Sequence, residues 1–411
     1  AEASSLFKSN LGEKLQDALR VCEALARKFD CVVANPPYMG SSSFSPFMSK
    51  WIKKNYPDVK SDLCTCFIER AFGLVKPCGY PTLITMQSWM FLGSFEKMRT
   101  KLIAEHSIVS MAHIGARGFD SIGGEVVSTT ATVFAAGQPG VDGVYLRLVD
   151  PVGEAAKQAA AREAVANSDC GYFYRRNAKI FTQIPGTPIA YWASDSVRHN
   201  FLQLPKLSQF VPLCVGGQTN DNDRFVKEWW EVRISDVGFG IDNSTKSRES
   251  CYSWFPLNKG GGYRKWFGNN DLIIYWKNEG EAIKSIGGST SNKDKYFHQS
   301  VTWSRTSSGS FGTRYKQTGS IFDTEGASII SDFDKLLYLM AALNSSCAFQ
   351  FACLLAPTLH FGLTDISSLP VPYDRKRESV IVSKSKEQIS ISKFDYDSFE
   401  TSWDFKRHPL L

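Results

Sequence analysis

Apolar residues recur with two different periods in the first third of the chain, and each period predicts a different element. A spacing of three to four positions is typical of amphipathic helices, which we expect over residues 5–28, 61–76 and 94–105. Short apolar runs rich in β-branched residues predict buried strands at residues 29–34, 81–86, 107–113 and 125–135. Strands that alternate with helices indicate an α/β fold, and these segments account for half of a doubly wound sheet.

The composition of the chain changes after residue 150. Residues 153–167 are rich in Ala, Glu and Lys, which predicts a solvated connecting helix, and another helix is expected over 189–204. Farther on, Gly, Asn and Trp mix with basic residues in short, irregular strands. We therefore expect four parts, namely a first domain at 1–150, a helical connector at 151–206, a second domain at 207–375 and a C-terminal extension at 376–411.

Composition and charge narrow the class of protein. The chain has 411 residues, is 43% hydrophobic and carries a net charge of +6, which fits a multidomain globular protein that can accept an anionic partner. Its ten cysteines include no CxxC pair and no signal peptide is visible, which predicts a reduced, cytoplasmic protein. Asn344 and Gln350 interrupt the longest uncharged run, 336–361, which favours a buried helix over a membrane span. No cluster of His, Cys and Asp predicts a metal site.

The tetrapeptide Asn35-Pro36-Pro37-Tyr38 follows the first predicted strand directly. Two prolines cannot continue a central strand, because they lack N–H donors and their φ is fixed. Their carbonyls therefore point in a defined direction beside an amide side chain and an aromatic ring. Such a group can bind a planar molecule that carries an –NH₂, although the bare tetrapeptide is also common as a simple turn.

Further segments resemble a known family more closely. They are residues 88–92 (SWMFL), 112–120 (AHIGARGFD), 123–127 (GGEVV), 218–225 (QTNDNDRF) and 402–405 (SWDF). Together with Asn35 to Tyr38, they resemble the adenine-specific DNA methyltransferases of bacteriophage-exclusion (BREX, phage-growth-limitation) systems, similar in plan to type IIG restriction–modification enzymes. The resemblance covers essentially the whole chain. It implies the C-terminal part of a Rossmann-like methyltransferase domain followed by an α+β target-recognition domain.

The same resemblance implies the cofactor and the partners. S-adenosylmethionine would donate the methyl group, and double-stranded DNA would be the partner, together with other proteins of the phage-defence system. Such folds bind their cofactor on a glycine-rich turn after a strand, and no such turn precedes residue 29. We therefore expect the main cofactor-binding motif upstream of this chain, which would leave the chain incomplete and inactive alone.

In such an enzyme the target would be the exocyclic N6 of an adenine flipped out of the duplex. The Asn35 side-chain oxygen and the Pro36 carbonyl would accept its two N–H bonds, which frees the nitrogen lone pair for attack on the methyl group. Tyr38 would stack on one face of the base, and Phe119 is our candidate for the other face, although a core role for Phe119 is nearly as well supported. His113 lies in a predicted strand, which favours a hydrogen-bonded core histidine over a catalytic one.

Three glycine-rich, basic and aromatic loops in the second domain are typical of DNA contacts. Cationic side chains contact phosphates, whereas Arg, Asn and Gln can contact base edges. A single loop of this kind is equally compatible with a solvated turn. The candidate contacts are Gln218, Thr219, Asn222, Arg224, Lys259, Arg264, Lys265, Asn269, Arg305 and Arg314.

Two alternatives remain open at this stage. Protein-glutamine and ribosomal-RNA guanine methylases also use an Asn-Pro-Pro-Tyr or Asn-Pro-Pro-Phe motif, but those enzymes are short and lack a second domain of this kind. The chain could also be a non-enzymatic DNA-recognition module, which the absent cofactor motif supports. Affinity for S-adenosylmethionine would separate an assembled methyltransferase site from such a module.

Overall fold

The computed structural model of the protein describes residues 2–120, 127–307 and 309–411, with side chains from residue 11 onward. The chain forms two compact units, Ala1–Ser194 and Asp195–Leu411. Each unit has its own sheets and its own core.

The first unit contains a six-stranded mixed sheet. Its strands are β1 (Phe29–Ala34), β2 (Val75–Met86), β3 (Ser107–Gly115), β4 (Thr129–Ala135), β5 (Asp142–Arg147) and β6 (Phe173–Asn177). Their order across the sheet is β1-β2-β4-β3-β5-β6. The pairs β1–β2 and β3–β5 are parallel, whereas β4 is antiparallel to both of its neighbours and β6 is antiparallel to β5. The predicted α/β class is confirmed, and so are four predicted strands, with β2 starting six residues earlier than expected.

The described helices of the first unit are α1 (Glu2–Ala26), α2 (Pro46–Asn55), α3 (Leu63–Phe72), α4 (Glu96–Glu105) and α5 (Glu154–Ala166). Short polar side chains fix two of the helix starts. Ser45 Oγ accepts a hydrogen bond from the Met48 N–H (3.2 Å) at the start of α2, and Asp62 Oδ1 accepts one from the Cys64 N–H (2.9 Å) at the start of α3. Helix α2 was not predicted, because its apolar residues are interrupted by lysines.

The core of this unit lies between one face of the sheet and helices α3 and α4. Leu83, Met111 and Phe134 on three adjacent strands are buried in one cluster with Ile68 and Leu102 on the two helices. Truncation of one such side chain to Ala typically costs about 2–5 kcal/mol of folding free energy. The core therefore fixes the strand register that brings the functional loops to one edge of the sheet.

The first unit extends beyond the expected boundary at residue 150. Strand β6 adds to the sheet, and the buried Arg99 guanidinium donates hydrogen bonds to the carbonyls of Trp89 (2.8 Å), Leu92 (2.8 Å) and Thr187 (2.9 Å). A buried guanidinium needs such acceptors, so Arg99 holds the segment around Thr187 against the first unit. The expected connector at 151–206 is thus divided between the two units. Helix α5 is confirmed, but the helix expected over 189–204 begins only at Asp195.

The second unit contains eight described helices around two small sheets. The helices are α6 (Asp195–Gln203), α7 (Asn222–Phe225), α8 (Ser244–Glu249), α9 (Lys277–Ser285), α10 (Phe333–Leu343), α11 (Ser346–Leu355), α12 (Leu363–Ser367) and α13 (Glu378–Tyr396). The strands are β7 (Leu213–Cys214), β8 (Val226–Glu228), β9 (Trp254–Asn258), β10 (Leu272–Tyr275), β11 (Ser300–Trp303), β12 (Thr313–Lys316), β13 (Ile321–Phe322) and β14 (Ser328–Ile329). The sheets have the orders β13-β9-β10-β8 and β12-β11-β14-β7.

The segment expected as a C-terminal extension packs within the second unit. Ser385 Oγ on α13 donates to the Leu337 carbonyl of α10 (3.1 Å), and Tyr396 Oη accepts the Asn270 N–H (2.9 Å). Helices α10 and α11 supply the apolar run singled out in the sequence. No single helix among the described residues could span a membrane, and these two pass that test only as a pair bent by 73°. The buried side chains of α10, including Leu336 and Leu339, confirm the predicted core helix.

Candidate functional site

The loops at one edge of the first sheet come from five neighbouring strands. Because β1 and β2 are parallel, the residues after Ala34 and after Met86 leave the sheet at the same edge. Strand β4 enters at this edge with Thr129, which pairs with Met86 on one side and with Gly115, the last residue of β3, on the other. The end of β5 reaches the same edge, since β5 is parallel to β3. Ligands of open α/β sheets bind at such carboxyl edges.

Asn35 to Tyr38 form the loop that follows β1 at this edge. The Asn35 and Pro37 side chains are exposed, Pro36 is buried and Tyr38 is half-buried. The Tyr38 hydroxyl donates a hydrogen bond to Asn35 Oδ1 (3.3 Å) and lies 3.5 Å from the Ile84 carbonyl of β2. Burial, and then the neighbouring Cys64 thiol, raise the pKa of Tyr38, so the phenol stays protonated as a donor.

The next residues of this loop pair with the segment that precedes α3. The Met39 carbonyl accepts the Leu63 N–H (2.9 Å), and the Ser61 carbonyl accepts the Ser41 N–H (2.9 Å). Backbone hydrogen bonds therefore fix the start of the serine-rich segment that follows Tyr38. This pairing limits how far the Asn-Pro-Pro-Tyr loop can move.

His113, near the end of β3, is buried in a hydrogen-bond chain. Its Nε2 lies 2.7 Å from Gln87 Oε1, and its Nδ1 lies 3.0 Å from the Tyr191 hydroxyl. Burial, reinforced by the positive charges of Arg147 and Lys157, lowers the pKa of His113 to about 3. The imidazole is thus neutral at pH 7, and the prediction of a hydrogen-bonded core histidine is confirmed.

Phe119 lies just after β3 at the same edge and is half-buried. Part of the segment quoted from the sequence, 123–127, lies outside the described residues, as does the start of the strand expected at 125. In the described part, Thr129 Oγ1 is buried without a hydrogen-bond partner. The stacking role of Phe119 stays a prediction, since its position at the edge is compatible with either role.

In the second unit, one lysine joins two of the predicted DNA-contact loops. Lys259 Nζ donates to Asn222 Oδ1 (3.1 Å) and forms an ion pair with Asp323 (2.8 Å). The buried Thr219 hydroxyl donates to the same Asn222 oxygen (2.6 Å). The structure therefore brings Thr219, Asn222 and Lys259 together, although the two loops are far apart in sequence.

The glycine-rich loop after β9 is folded back on itself. Asn269 Nδ2 donates to the carbonyls of Gly260 and Gly262, both at 2.8 Å. A Cβ on Gly261, whose φ is +93°, would lie 2.8 Å from the Asn269 amide, so the close approach requires glycine there. Arg264 is exposed, whereas Lys265 is half-buried with its Nζ donating to the Asn344 carbonyl (2.7 Å).

Arg305 and Arg314, two further basic candidates, differ sharply in exposure. Arg305 is partly exposed, donates to His360 Nε2 (3.1 Å) and pairs with Glu325 (3.5 Å). Arg314 is 1% exposed, and its guanidinium donates to the Gly260 carbonyl (3.1 Å) and to Ser304 Oγ (3.2 Å). Its predicted DNA contact is wrong, because the side chain is buried against the glycine-rich loop and donates to that loop.

The two other candidates lie on the surface. The Gln218 side chain is exposed, while its backbone N–H donates to the Ser289 carbonyl (3.1 Å). Arg224 is exposed, and its guanidinium lies over the Phe225 ring at 4.9 Å. Both side chains remain available to a partner.

Several residues of these sites were not predicted from the sequence. Gln87, Tyr191, Asp323, Glu325 and His360 each contact a predicted residue in the folded chain. Gln87 directly precedes the segment 88–92, which indicated the family but no role for this residue. In each of these contacts the two residues are tens of positions apart, so local sequence patterns did not reveal them. Among the described residues, no group of three or more His, Cys, Asp or Glu could hold a metal ion.

Known proteins similar to this chain contain both of its units. The family model of the Eco57I restriction-modification methylase matches residues 4–119. The adenine-specific methyltransferase PglX of Lacticaseibacillus casei (strain Zhang) is 39% identical over 410 residues, which are 97% of this chain and 34% of PglX. The adenine-specific methyltransferase BrxX of Escherichia coli O9:H4 (strain HS) is 38% identical over 393 residues, 94% of this chain and 31% of BrxX. The resemblance to the BREX methyltransferases is confirmed.

The chain spans about a third of the length of these curated relatives. Among solved structures, the type IIL restriction-modification enzyme MmeI in complex with DNA is similar in fold, with a TM-score of 0.55. That similarity covers 92% of this chain and 52% of MmeI at 13% identity, so it concerns the fold alone.

Proposed function

We propose that this chain is the part of an adenine-N6-specific DNA methyltransferase that holds the target adenine and the surrounding duplex. The full-length protein would mark host DNA within a phage-defence system. The single observation that carries the proposal is the Asn35–Tyr38 loop at the carboxyl edge, in a chain homologous to adenine-specific methyltransferases.

Asn35 and Pro36 would hold the amino group of the base. Asn35 Oδ1 has two lone pairs, so it can accept an adenine N6–H while still accepting the Tyr38 hydroxyl. With the Pro36 carbonyl accepting the second N–H, the amino nitrogen would become pyramidal and its lone pair nucleophilic. Positioning and oriented acceptors supply this effect without a strong base.

Tyr38 would stack on the base once the nucleotide has left the duplex. Base–aromatic stacking contributes about 1–3 kcal/mol per base, which helps to offset the cost of flipping. Phe119 at the same edge is the candidate for the opposite face of the base. Its half-buried position leaves part of the ring available for this contact.

The second unit would contact the duplex through the loops that Lys259 joins. Gln218 and Asn222 carry amide groups that can bind base edges, and Arg224 and Arg264 are exposed cations for phosphates. Asn269 would shape the glycine-rich loop, because its NH₂ group is bound to the Gly260 and Gly262 carbonyls. Lys259, Lys265 and Arg305 each have a protein partner, so their contribution would combine loop positioning with charge. Thr219 would position Asn222 rather than contact DNA.

S-adenosylmethionine is the methyl donor that the methyltransferase relatives imply. The described residues do not form an S-adenosylmethionine site. Strand β1 is at the edge of the sheet, and among the described residues no strand with a glycine-rich turn lies beside its unpaired side. That side of β1 is open, with Val33 76% exposed. We propose that the rest of the full-length protein binds the cofactor on this side of β1. The full-length protein would act in the cytoplasm, and other proteins of the defence system would be its partners.

Substitution of Asn35 tests the proposed function in the full-length protein. Asn35→Ala should abolish adenine methylation, because one acceptor for the amino group is lost, while DNA affinity stays within a few-fold. Asn55→Ala, an exposed asparagine on α2, is the matched control and should retain turnover. Methyl incorporation into duplex DNA and a parallel binding titration give the two readouts. Lost binding with retained turnover would contradict the assignment.

A further inference from the structure

We propose that Gln87 is a specificity-determining residue, whose side-chain amide N–H donates to a ring nitrogen of the flipped base. This inference rests on the proposed function and deepens it. Asn35 and Pro36 would hold only the amino group, so another contact is needed to recognise the ring that carries it.

The position of Gln87 in the sheet places it at the site. It follows β2 directly, at the edge where Asn35 follows β1, and its backbone N–H donates to the Ser128 carbonyl (2.9 Å). Gln87 is three positions after Ile84, whose carbonyl lies beside the Tyr38 hydroxyl. At about 3.3 Å per strand residue, this is roughly 10 Å along the strand, which one bound nucleotide can bridge.

The hydrogen-bond chain through His113 orients the amide of Gln87. Gln87 Oε1 can only accept, so Nε2 of the neutral imidazole carries the single ring N–H and donates it to Gln87. Nδ1 then accepts a hydrogen bond from the Tyr191 hydroxyl. With its oxygen bound to His113, Gln87 turns its NH₂ group away from the core. The described residues offer this NH₂ group no acceptor, and the side chain is half-buried.

The donor fits adenine, which presents ring nitrogens N1 and N7 as acceptors. Guanine N1 carries a hydrogen and would meet the amide N–H donor to donor, and cytosine has no counterpart of N7. Which base Gln87 excludes therefore depends on which of the two nitrogens it contacts. A site that leaves a buried polar group unpaired rejects the wrong substrate strongly. His113 and Tyr191 act through Gln87 and are positioning residues.

A double-mutant cycle between protein and base tests this contact in the full-length protein. The substrates are duplexes whose target base is adenine, 1-deazaadenine or 7-deazaadenine, at the site mapped by sequencing of methylated DNA. If Gln87 donates to N1, wild type should lose about tenfold in kcat/KM on 1-deazaadenine, and Gln87→Leu should lose the same on adenine. Gln87→Leu should then lose no further kcat/KM on 1-deazaadenine. If N7 is the acceptor, the same non-additive pattern should appear with 7-deazaadenine instead.

The cycle cancels any change in the intrinsic reactivity of N6. Additive losses with both analogues would overturn the contact, while a wild type that fails to methylate the adenine duplex would overturn the proposed function as well. Tyr191→Phe removes the hydroxyl that donates to His113 Nδ1, and should weaken the coupling between Gln87 and the base. A lower melting temperature with unchanged coupling in this variant would indicate only a structural role for the His113 chain.

Discussion

Two side chains at the carboxyl edge of the first sheet have opposite requirements. Under the proposed function, Asn35 needs exposure to accept an amino group, whereas His113 needs burial to stay neutral and hold Gln87. Tyr38 lies between these extremes, because its hydroxyl contacts the loop while its ring stays half-exposed. Each side chain therefore predicts a different consequence of substitution.

Tyr38→Phe and Tyr38→Ala should separate the hydroxyl from the ring. The hydroxyl bond to Asn35 Oδ1 is long, at 3.3 Å, so Tyr38→Phe should keep kcat/KM within a few-fold. Tyr38→Ala removes the stacking surface, and should lower kcat/KM by roughly 10- to 100-fold. Fluorescence of 2-aminopurine at the target position would report base flipping in each variant. Equal activity of the alanine and phenylalanine variants would argue against stacking.

His113 should make the first unit sensitive to acid. Its folded-state pKa of about 3 lies below the unfolded value, so between pH 6.5 and 3 the unfolded chain binds a proton that the folded chain does not. Stability should therefore be complete above pH 6.5 and fall as the pH decreases toward 3. Thermal unfolding from pH 7 to 4 would measure this, and His113→Gln should flatten the dependence. An unchanged slope in the variant would assign the acid sensitivity to other groups.

At the scale of elements, the loops of the second unit are held by buried and half-buried polar side chains. Arg314 and Asn269 both donate to the Gly260 carbonyl of the glycine-rich loop. Lys259 connects that loop to the neighbouring one through its hydrogen bond to Asn222. A basic residue in such a loop can therefore contribute either charge or shape. Exposure and hydrogen-bond partners decide between the two.

Arg264 and Lys265 are adjacent in sequence and should differ in effect. Arg264→Ala should weaken DNA binding and lower the slope of log affinity against log salt by about one, because an exposed phosphate contact is lost. Lys265→Ala should change that slope less and the melting temperature more, since its ammonium group donates to the Asn344 carbonyl. Binding titrations at several salt concentrations give the slopes. Identical slopes for both variants and wild type would exclude phosphate contact by this loop.

The sequence predicted the helices and strands better than the contacts between residues that are far apart in the chain. The strand before Asn35 and the core role of His113 follow from local apolar patterns, which survive folding because they set the sheet register. The burial of Arg314 could not be predicted, because its acceptors at Gly260 and Ser304 come from other loops. The extension of the first unit to residue 194 likewise depends on Arg99 and β6, which act across long sequence separations.

At the scale of the whole molecule, each unit has its own role in the proposal. The first holds the base and the second contacts the duplex, within a chain that spans about a third of its curated relatives. Both roles should be visible together only in the full-length protein. A genome-wide measurement can therefore test them at once.

Sequencing of modified bases in cells should give distinct outcomes for the two units. Cells with the full gene should carry N6-methyladenine at one recurring sequence, and cells with Asn35→Ala should carry none. Exchanging Gln218 and Asn222 for other polar residues should change or relax that sequence while methylation continues. Methylation lost in both classes of variant, with normal protein levels, would contradict a separate recognition unit.

The junction at Lys259 has a consequence for how such a protein can acquire new targets. One ammonium group donates to Asn222 on one loop and to Asp323 on another segment, so an exchange at any of the three removes a hydrogen bond from at least one of the others. Single substitutions along a route to a new sequence preference should therefore lose affinity before they gain selectivity. Viable routes would exchange whole loops together, by recombination rather than by stepwise point mutation.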